Sequence, residues 1–210
     1  MIKNVIFDMG GVIVDVHRDR AIQSFKALGL NDADQFIDAY HHKGIFLSIE
    51  NGDVDADEFC RLLCEQIGEN IPHEDIVNAW RSILDPPVEY KLDFLQELRK
   101  TYNVFMLSNI NPIVADWTCK PGFTASGRSL MDYFDKLYLS YQMKCMKPDF
   151  KIYRMMIEDA CINASESLFI DDSDININAA KECGLQVYLA KNGADWRDDV
   201  SLMLRKEQSF

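Results

Sequence analysis

The chain has 210 residues, of which 48% are hydrophobic, and a formal net charge of −12 from 22 basic and 34 acidic residues. This length suits one domain, or one domain with a sizeable insertion, and the acidic balance argues against a nucleic-acid surface, which needs a basic stripe. No apolar run is long enough to span a membrane, and six scattered cysteines without a Cys-x-x-Cys pair are typical of reduced thiols. We therefore expect a cytoplasmic globular protein with no nucleic-acid or membrane partner.

Short apolar runs predict five β-strands, and helical patterns separate the later ones. The predicted strands are residues 4–7, 104–107, 136–139, 168–170 and 186–189. The predicted helices between them are residues 89–101, 149–161 and 174–183. Strands that alternate with helices form a parallel sheet covered on both faces, so the pattern predicts an α/β fold with a doubly wound parallel sheet. The turn-rich segment 111–129 is predicted to form a loop over the functional site.

The segment between the first strand and residue 86 breaks this alternation, because it contains no convincing strand. Helical patterns cover residues 19–28, 33–41 and 74–83, and an Asp-x-x-Glu capping box precedes a further helix after residue 55. We expect an all-helical cap domain, residues 16–86, inserted into a core domain of residues 1–15 and 87–210. Such a cap can lie over the carboxyl edge of the sheet, where it would exclude water and select the substrate.

Asp8 is the most informative single residue, because its carboxylate follows directly after a buried apolar strand. It stands in the sequence IFDMGGV, where the two glycines allow backbone to approach a ligand closely. A charge at the end of a buried strand is costly unless it has a partner. The carboxyl ends of the strands are also where ligands bind in open α/β sheets, so the position of Asp8 indicates chemistry.

A second group of acids follows the fourth predicted strand. Asp171, Asp172 and Asp174 come directly after the apolar run 168–170. If both strands lie in one parallel sheet, these acids meet Asp8 at the same edge, and a hard cation between them relieves their repulsion. Mg²⁺ suits a site built from a few carboxylates, water and phosphate oxygens, so we predict Mg²⁺ as the cofactor.

Two further polar segments complete the candidate site. Ser108 and Asn109 follow the second strand, and Lys147 stands in the sequence MKPD, directly before a predicted helix. Together with Asp8 and Asp172 they supply a nucleophile, a hydroxyl with amide donors, a cation and metal ligands. This set is typical of phosphoryl transfer, with a small phosphorylated metabolite as the binding partner.

These four motifs, in this order, make the chain resemble the haloacid dehalogenase (HAD) superfamily, in its phosphatase branch with a helical cap. The resemblance covers essentially the whole chain, and the start FDMGGV is most similar to the sugar-1-phosphate phosphatases of that superfamily. It implies a Rossmann-like core, Mg²⁺ dependence and the hydrolysis of phosphomonoesters, with sugar phosphates as the expected substrates.

The resemblance also implies the nucleophile and the metal ligands. Asp8 would attack phosphorus and form an aspartyl-phosphate, which water then hydrolyses. Asp8, the carbonyl of Gly10 and the carboxylate of Asp172 would bind Mg²⁺. Asp171 and Asn176 would stand beside these ligands without binding the ion themselves.

The remaining motif residues would hold the phosphate group. The resemblance implies that the Ser108 hydroxyl and the backbone amide of Asn109 bind phosphate oxygens. Lys147 would bind the phosphate too, and it would neutralise charge between the phosphate and Asp8.

Gly10 departs from the family pattern, because most phosphatases of this superfamily have an aspartate there as the general acid for the leaving group. General-acid catalysis contributes about 10²–10⁴-fold, so its absence implies a slower enzyme, an acid supplied elsewhere or a substrate that leaves easily. An anomeric phosphate leaves more easily than an alkyl phosphate, which favours sugar-1-phosphates. A catalytically impaired binding or regulatory protein on the same fold is the alternative. Dehalogenases of this superfamily usually carry tyrosine at this position, so dehalogenation is not expected.

Histidines in the inserted segment raise a further alternative. His41 and His42 are adjacent, and neighbours on a helix point in different directions, which disfavours a joint metal-ligand role. One of them can still reach the pocket from the cap. Four other side chains are candidate substrate contacts for which ordinary surface packing is the simpler interpretation: His17, Arg18, Trp117 and Arg128.

Overall fold

A computed structural model describes residues 1–38 and 42–206 of the chain, and within them it shows a parallel sheet of five strands in the order β3-β2-β1-β4-β5. The strands are β1 (Asn4–Phe7), β2 (Asn103–Ser108), β3 (Lys136–Leu139), β4 (Ser167–Asp171) and β5 (Gln186–Leu189). This order confirms the predicted α/β fold with a doubly wound parallel sheet. All five predicted strands are present, and β2 and β4 extend one residue further at each end.

Helices connect and cover these strands. In chain order they are α1 (Arg18–Ala27), α2 (Ala33–Phe36), α3 (Gly44–Glu50), α4 (Ala56–Ile67), α5 (His73–Arg81), α6 (Glu89–Leu98), α7 (Pro112–Thr118), α8 (Ser140–Met143), α9 (Phe150–Asp159), α10 (Asp174–Glu182) and α11 (Arg197–Lys206). Within the described residues, no helix is both long and apolar enough to cross a membrane.

The central strand β1 fixes which residues meet at the carboxyl edge. Its four residues are buried, as expected for a parallel strand covered on both faces. Phe7 is paired with Met106 of β2 on one side and with Ile170 of β4 on the other. Asp8 follows Phe7 and Asp171 follows Ile170, so the pairing of these two strands places Asp8 beside Asp171. The backbone amide of Asp8 donates to the Ile170 carbonyl at 2.8 Å.

The two faces of the sheet belong to separate buried clusters, because successive residues of a strand point to opposite sides. Ile6 and Phe169 lie in one cluster with side chains of α9 and α10. Phe7 and Ile170 lie in the other cluster, with side chains of α6, α11 and the inserted helices. The sheet is thus held between two apolar layers, and its carboxyl edge is left for polar residues.

The inserted helices α1–α5 lie between β1 and α6 and pack around an aromatic cluster. The ring centroid of Phe46 lies 5.0 Å from that of Phe25, 5.2 Å from that of Phe59 and 5.4 Å from that of Trp80. Such tilted and edge-to-face pairs stabilise a core beyond the area that they bury. These helices therefore have an apolar interior of their own, although it merges with the cluster on one face of the sheet.

The chain enters and leaves the inserted segment side by side. Val16 forms an isolated antiparallel bridge with Leu84, and the backbone amide of Asp85 donates to the carbonyl of Asp15 at 3.0 Å. These contacts fall at the two ends of the proposed cap. The division into a cap of residues 16–86 and a core of residues 1–15 and 87–210 stays a prediction.

The helix predicted for residues 33–41 is wrong at residues 37 and 38. α2 ends at Phe36, and the backbone of Ile37 is extended, with φ −94° and ψ 98°. The guanidinium of Arg18 donates to the Ile37 carbonyl at 2.6 Å, so a side chain from α1 satisfies this carbonyl in place of another helical turn. Residues 39–41, including His41, lie outside the described part of the chain.

The loop predicted for residues 111–129 is wrong at its start, which forms α7. The Asn111 side chain accepts a hydrogen bond from the backbone amide of Val114 at 2.9 Å, and Pro112 follows as the first helical residue. Asparagine before proline is a typical helix start. Three further helices, α3, α8 and α11, were not predicted from the sequence.

The aromatic cluster of the inserted helices yields a stability prediction. Replacing the fully buried Phe46 with alanine should lower the free energy of unfolding by about 3–5 kcal/mol, because the lost ring leaves a cavity. Leu202, which is 51% exposed, is the control, and its replacement by alanine should change stability by less than about 0.5 kcal/mol. Urea denaturation measures both changes. Equal stabilities for the two variants would contradict this packing.

Candidate active site

Three carboxylates meet at the carboxyl edge of the sheet. Asp8 follows β1, Asp171 ends β4 and Asp172 comes next, and each offers an oxygen within 4.8 Å of the others. Asp8 and Asp171 are buried, whereas Asp172 is partly exposed. The structure thus brings together the acids that the sequence placed at the ends of two neighbouring strands.

Lys147 inserts its ammonium group between two of these carboxylates. Its side chain is fully buried, and Nζ lies 3.0 Å from Asp8 Oδ1 and 2.6 Å from Asp171 Oδ2. Burial disfavours the charged form of Lys147, but the carboxylates of Asp171 and Asp8 outweigh that effect and raise its pKa. The ammonium therefore stays charged and fixes both carboxylates.

Both carboxylate oxygens of Asp171 are engaged by protein groups. Besides the contact with Lys147, its Oδ1 accepts hydrogen bonds from the backbone amide of Ser173 at 2.9 Å and from Asn176 Nδ2 at 3.0 Å. The Asn176 amide also lies 3.2 Å from Asp171 Oδ2. These bonds leave Asp171 suited to orienting the lysine rather than to binding an ion.

Asp172 lies against the glycine pair of the first motif. A β-carbon on Gly11 would lie 2.0 Å from Asp172 Oδ2, and the backbone of Gly11 has φ +71°. Only glycine fits both the close approach and the left-handed backbone. The second glycine of IFDMGGV therefore makes room for the carboxylate that follows β4.

The pKa values of Asp8 and Asp172 are both raised, because burial and neighbouring negative charges disfavour their ionised forms. Burial, together with repulsion from Asp171 and Asp172, raises the pKa of Asp8 to about 7, although Lys147 opposes this rise. Burial and the charge of Asp171 raise the pKa of Asp172 to about 6. Two crowded oxygen ligands of this kind fit a small hard cation, which would relieve the repulsion and bring both groups to their charged form.

Ser108 and Asn109 occupy the end of β2, next to the carboxylates. A hydrogen bond from the buried Ser108 side chain lowers the pKa of Asp8. The backbone amide of Asn109 was predicted to bind phosphate, whereas its side chain binds the backbone of Lys147. Its Nδ2 donates to the Lys147 carbonyl at 2.9 Å, and its Oδ1 accepts from the Lys147 amide at 2.8 Å. Asn109 thereby fixes the backbone that carries the lysine.

A cavity of about 130 Å³ opens above these residues. Its floor includes Asp8, Gly10, Ser108, Lys147 and Asp172. Its roof, as we call the part contributed by the inserted segment, has two kinds of side chain. The apolar ones are Val16, Ile83 and Leu84, and the others are Arg18, Asp38, His42, Glu50 and Trp80. Charged and hydroxyl groups below and a roof of mixed polar and apolar groups suit a small, polar, phosphorylated ligand.

Gly10 lies in this cavity at the position where an acid was expected. A β-carbon on Gly10 would lie 3.0 Å from Val16 Cγ2, so any side chain there would push against Val16. Local packing therefore agrees with the glycine, and an acid for the leaving group would have to come from another part of the cavity.

The candidate substrate contacts divide into two groups. His42 and Arg18 line the cavity, as the open alternative allowed. His17 instead contacts Asp85 at 2.5 Å. Trp117 and Arg128 are used in packing, with Trp117 against Phe123 at 5.0 Å and Arg128 over the Tyr133 ring at 4.7 Å.

Six roof residues were missed from the sequence: the apolar Val16, Ile83 and Leu84, and the polar or aromatic Asp38, Glu50 and Trp80. Trp80 lies in a helix that was predicted correctly, but its periodicity shows only that it is buried. Glu50 begins an acidic stretch, residues 50–58, that is typical of a turn followed by a helix start. Neither pattern carries a signal for the direction of these side chains.

Comparison with known proteins extends the sequence resemblance. A family model described as haloacid dehalogenase-like hydrolase matches residues 2–184. The chain is 46% identical over 204 residues to D-ribitol-5-phosphate phosphatase of Bacteroides thetaiotaomicron, a match that covers 97% of this chain and 99% of that protein. It is 26% identical over 188 residues to a sesquiterpene phosphatase of Aspergillus oryzae, a match that covers 87% of both chains.

Solved structures agree with these relatives. A HAD-like family hydrolase of Porphyromonas gingivalis superposes with a TM-score of 0.93 at 37% identity, covering 98% of both chains. A HAD family enzyme of Bacteroides thetaiotaomicron, in complex with magnesium and inorganic phosphate, gives a TM-score of 0.90 at 39% identity and covers 95% of this chain and 99% of its own. The family match and the near full-length relatives show that this chain is an enzyme of the haloacid dehalogenase-like hydrolase family.

Proposed function

We propose that the chain is a Mg²⁺-dependent phosphatase of small sugar or sugar-alcohol phosphates that works through an aspartyl-phosphate on Asp8. The observation that carries this proposal is the position of Asp8. Asp8 lines the floor of the cavity, its Oδ1 lies 3.0 Å from the buried Lys147 ammonium, and it offers an oxygen within 4.8 Å of one from Asp172. This arrangement suits a nucleophile that attacks an anionic group.

Asp8 is held in one orientation for this attack. Its Oδ1 accepts from the backbone amide of Met9 at 2.7 Å and faces the Lys147 ammonium at 3.0 Å. The carboxylate can then attack phosphorus in line with the departing alcohol. The bond from phosphorus to the alcohol oxygen breaks, and water later attacks phosphorus to release inorganic phosphate and the free carboxylate.

Lys147 and the end of β2 would hold the transferred group. The Lys147 ammonium neutralises part of the charge that two anions bring together when a phosphate approaches Asp8. Ser108 and Asn109 line the same cavity, where the Ser108 hydroxyl and the backbone amide of Asn109 would donate to phosphate oxygens. These are the roles that the family pattern gives to the same positions. Together the three residues would form a preorganised set of donors for the phosphate.

The residues of the site fit Mg²⁺. Asp8 and Asp172 supply crowded carboxylate oxygens, and the Gly10 carbonyl is the third protein ligand expected from the family pattern. Asp171 and Asn176 would remain beside them, since Asp171 binds Lys147 and Asn176 binds Asp171. When bound, Mg²⁺ would offset the charge of the phosphate and help to orient it. The magnesium and phosphate complex of the Bacteroides relative supports this assignment.

The substrate class is argued from the roof and from the ribitol-5-phosphate phosphatase relative. Ionic and polar roof residues such as Arg18, Asp38 and Glu50 suit a leaving group that carries several hydroxyls. A sugar alcohol phosphorylated at a primary carbon has these hydroxyls. The preference for sugar-1-phosphates that Gly10 suggests stays a prediction, and the same assay tests it.

Replacing Asp8 with asparagine should abolish Mg²⁺-dependent phosphate release, because the neutral amide cannot form an aspartyl-phosphate. Phosphate release is measured for ribitol-5-phosphate and for the 1- and 6-phosphates of one hexose, with and without Mg²⁺. We expect ribitol-5-phosphate to give the highest kcat/KM. A faster 1-phosphate would favour the anomeric preference. Ligand binding without any turnover by the wild type would support the binding-protein alternative and contradict the proposal.

The metal-free protein should lose stability as the pH rises from about 4 to about 7. The pKa of Asp8 is raised from 3.8 to about 7, so the folded state binds a proton that the unfolded chain has already lost in that range. A tenfold difference in proton affinity between the folded and unfolded states corresponds to about 1.4 kcal/mol of stability. Urea denaturation in EDTA at several pH values measures the effect.

The control for this measurement is the Asp8→Asn variant, which lacks the titrating group. The difference in unfolding free energy between the wild type and this variant should change with pH in EDTA and should change less in saturating Mg²⁺. A difference that stays flat from about pH 4 to about pH 8 would contradict the charge crowding at Asp8.

Replacing Asn109 with alanine should lower kcat/KM for the best substrate by at least about tenfold. The substitution removes both hydrogen bonds to the Lys147 backbone, and small misplacements of a catalytic group are costly. Asn163→Ala is the matched control, because it also removes a side-chain bond to backbone but lies at the amino end of β4. Equal kcat/KM values for both variants would refute the positioning role.

A further inference from the structure

The backbone carbonyl of Val12 accepts two side-chain hydrogen bonds from distant parts of the chain. The amine of Lys91, in α6, donates to it at 2.8 Å, and the indole Nε1 of Trp196 also donates to it at 2.8 Å. Both side chains are buried. A carbonyl oxygen has two lone pairs, and these two donors occupy both of them, so the direction of the Val12 carbonyl is fixed. Val12 comes two residues after Gly10, whose carbonyl is the metal ligand expected from the family pattern.

Val12 belongs to a tight backbone turn, residues 9–14, that lies just beyond β1. The amide of Gly11 donates to the Val14 carbonyl at 2.8 Å, and the amide of Val14 donates to the Met9 carbonyl at 3.1 Å. These bonds close the turn on itself. A group that fixes the Val12 carbonyl therefore also limits the movement of the other residues in the turn.

The Gly10 carbonyl lies within this turn and takes no part in closing it. Among the described residues, none donates a hydrogen bond to its oxygen. Gly10 also lines the cavity together with Asp8 and Asp172. Mg²⁺ demands near-ideal octahedral geometry with ligands at about 2.0–2.1 Å, whereas Ca²⁺ accepts longer and more variable distances. A carbonyl ligand for Mg²⁺ therefore has to be held closely in place.

Lys91 is a costly residue to bury at this position. Its Nζ lies 3.7 Å from Asp15 Oδ1, which is too far for a hydrogen bond. Burial lowers the pKa of Lys91, and the charges of Asp15 and Asp195 only partly offset that effect. An apolar side chain of similar length would fill the space without this cost. The amine therefore indicates a task for its N–H bond, and an amine donates that bond in either protonation state.

The ring of Trp196 is held by the core as well. Its centroid lies 5.1 Å from that of Phe7, the last residue of β1, and 5.7 Å from that of Phe94 in α6. Trp196 stands directly before α11, so side chains from two separate core helices reach the same turn. The packing of this ring can be separated from the bond that Nε1 donates, because phenylalanine keeps a ring but has no N–H.

We propose that Lys91 and Trp196 are positioning residues for the metal site, which hold the Val12 carbonyl and thereby keep the Gly10 carbonyl in the geometry that Mg²⁺ requires. This proposal rests on the proposed phosphatase function, in which Gly10 is a metal ligand. Neither Lys91 nor Trp196 lines the cavity, so both act through the turn. Their loss should therefore weaken the binding of Mg²⁺ more than that of Ca²⁺.

The test measures the Kd of the metal-free protein for Mg²⁺ and for Ca²⁺ by isothermal titration calorimetry. The variants are Trp196→Phe and Lys91→Met, each of which removes one hydrogen bond to Val12. We expect the Kd for Mg²⁺ to rise about three- to tenfold in each variant, and the Kd for Ca²⁺ to change less than about twofold. Trp117→Phe is the matched control, because it shortens another ring that packs on an aromatic neighbour, Phe123, and it should leave both Kd values unchanged.

The comparison of two ions separates positioning from charge and from stability. Loss of a positive charge at position 91 would by itself strengthen the binding of a cation, so weaker Mg²⁺ binding in Lys91→Met has another cause. A purely structural role would lower the free energy of unfolding in urea and leave the ratio of the two Kd values unchanged.

Trp196→Phe decides the outcome, because it changes no charge and keeps a ring. A ratio of Mg²⁺ to Ca²⁺ affinities that stays within about twofold of the wild type in this variant, or that moves in favour of Mg²⁺, would overturn the proposal. A wild type that binds no Mg²⁺, or that shows no Mg²⁺-dependent phosphate release, would instead refute the phosphatase function on which the proposal rests.

Discussion

The buried ammonium of Lys147 is the group on which the rest of the site depends. A fully buried charge is tolerated only when partners surround it, and breaking such a pair typically costs about 3–5 kcal/mol. Lys147 has Asp8 and Asp171 as partners, which stand level because β1 and β4 pair in register. Asn109 at the end of β2 fixes its backbone. Three neighbouring strands thus converge on one lysine, and Asp8, the proposed nucleophile, is oriented by the same contacts.

The roof adds a second constraint. The inserted helices pack around their own aromatic cluster, but the end of α3 is fastened to the core through Ser140, Lys144 and the close approach at Gly52. The end of α3, which carries the cavity-lining Glu50, is therefore fixed relative to the carboxyl edge of the sheet. In the proposed function this arrangement would separate two tasks, with the phosphate held at the sheet edge and the leaving part of the substrate held by the inserted helices.

The fold and the floor could be predicted because strand ends are marked in the sequence. Apolar runs that stop at Asp8, Ser108 and Asp171 indicate both the strands and the polar edge, and parallel pairing brings them together. The roof could not be predicted in the same way. The end of α2 depends on Arg18, which is distant in sequence, and the direction of Trp80 depends on how whole helices pack. The double hydrogen bond of Asn109 likewise joins segments that are far apart along the chain.

In the proposed reaction, Asp8 carries the phosphoryl group from the substrate to water. The direct measurement is to quench the enzyme during turnover of ribitol-5-phosphate with Mg²⁺, reduce it with borohydride and identify the modified peptide by mass spectrometry. An acyl phosphate on Asp8 is reduced to homoserine, so we predict homoserine at position 8 and at no other aspartate. Full turnover with an unmodified Asp8, or homoserine at Asp171 or Asp172, would contradict the account.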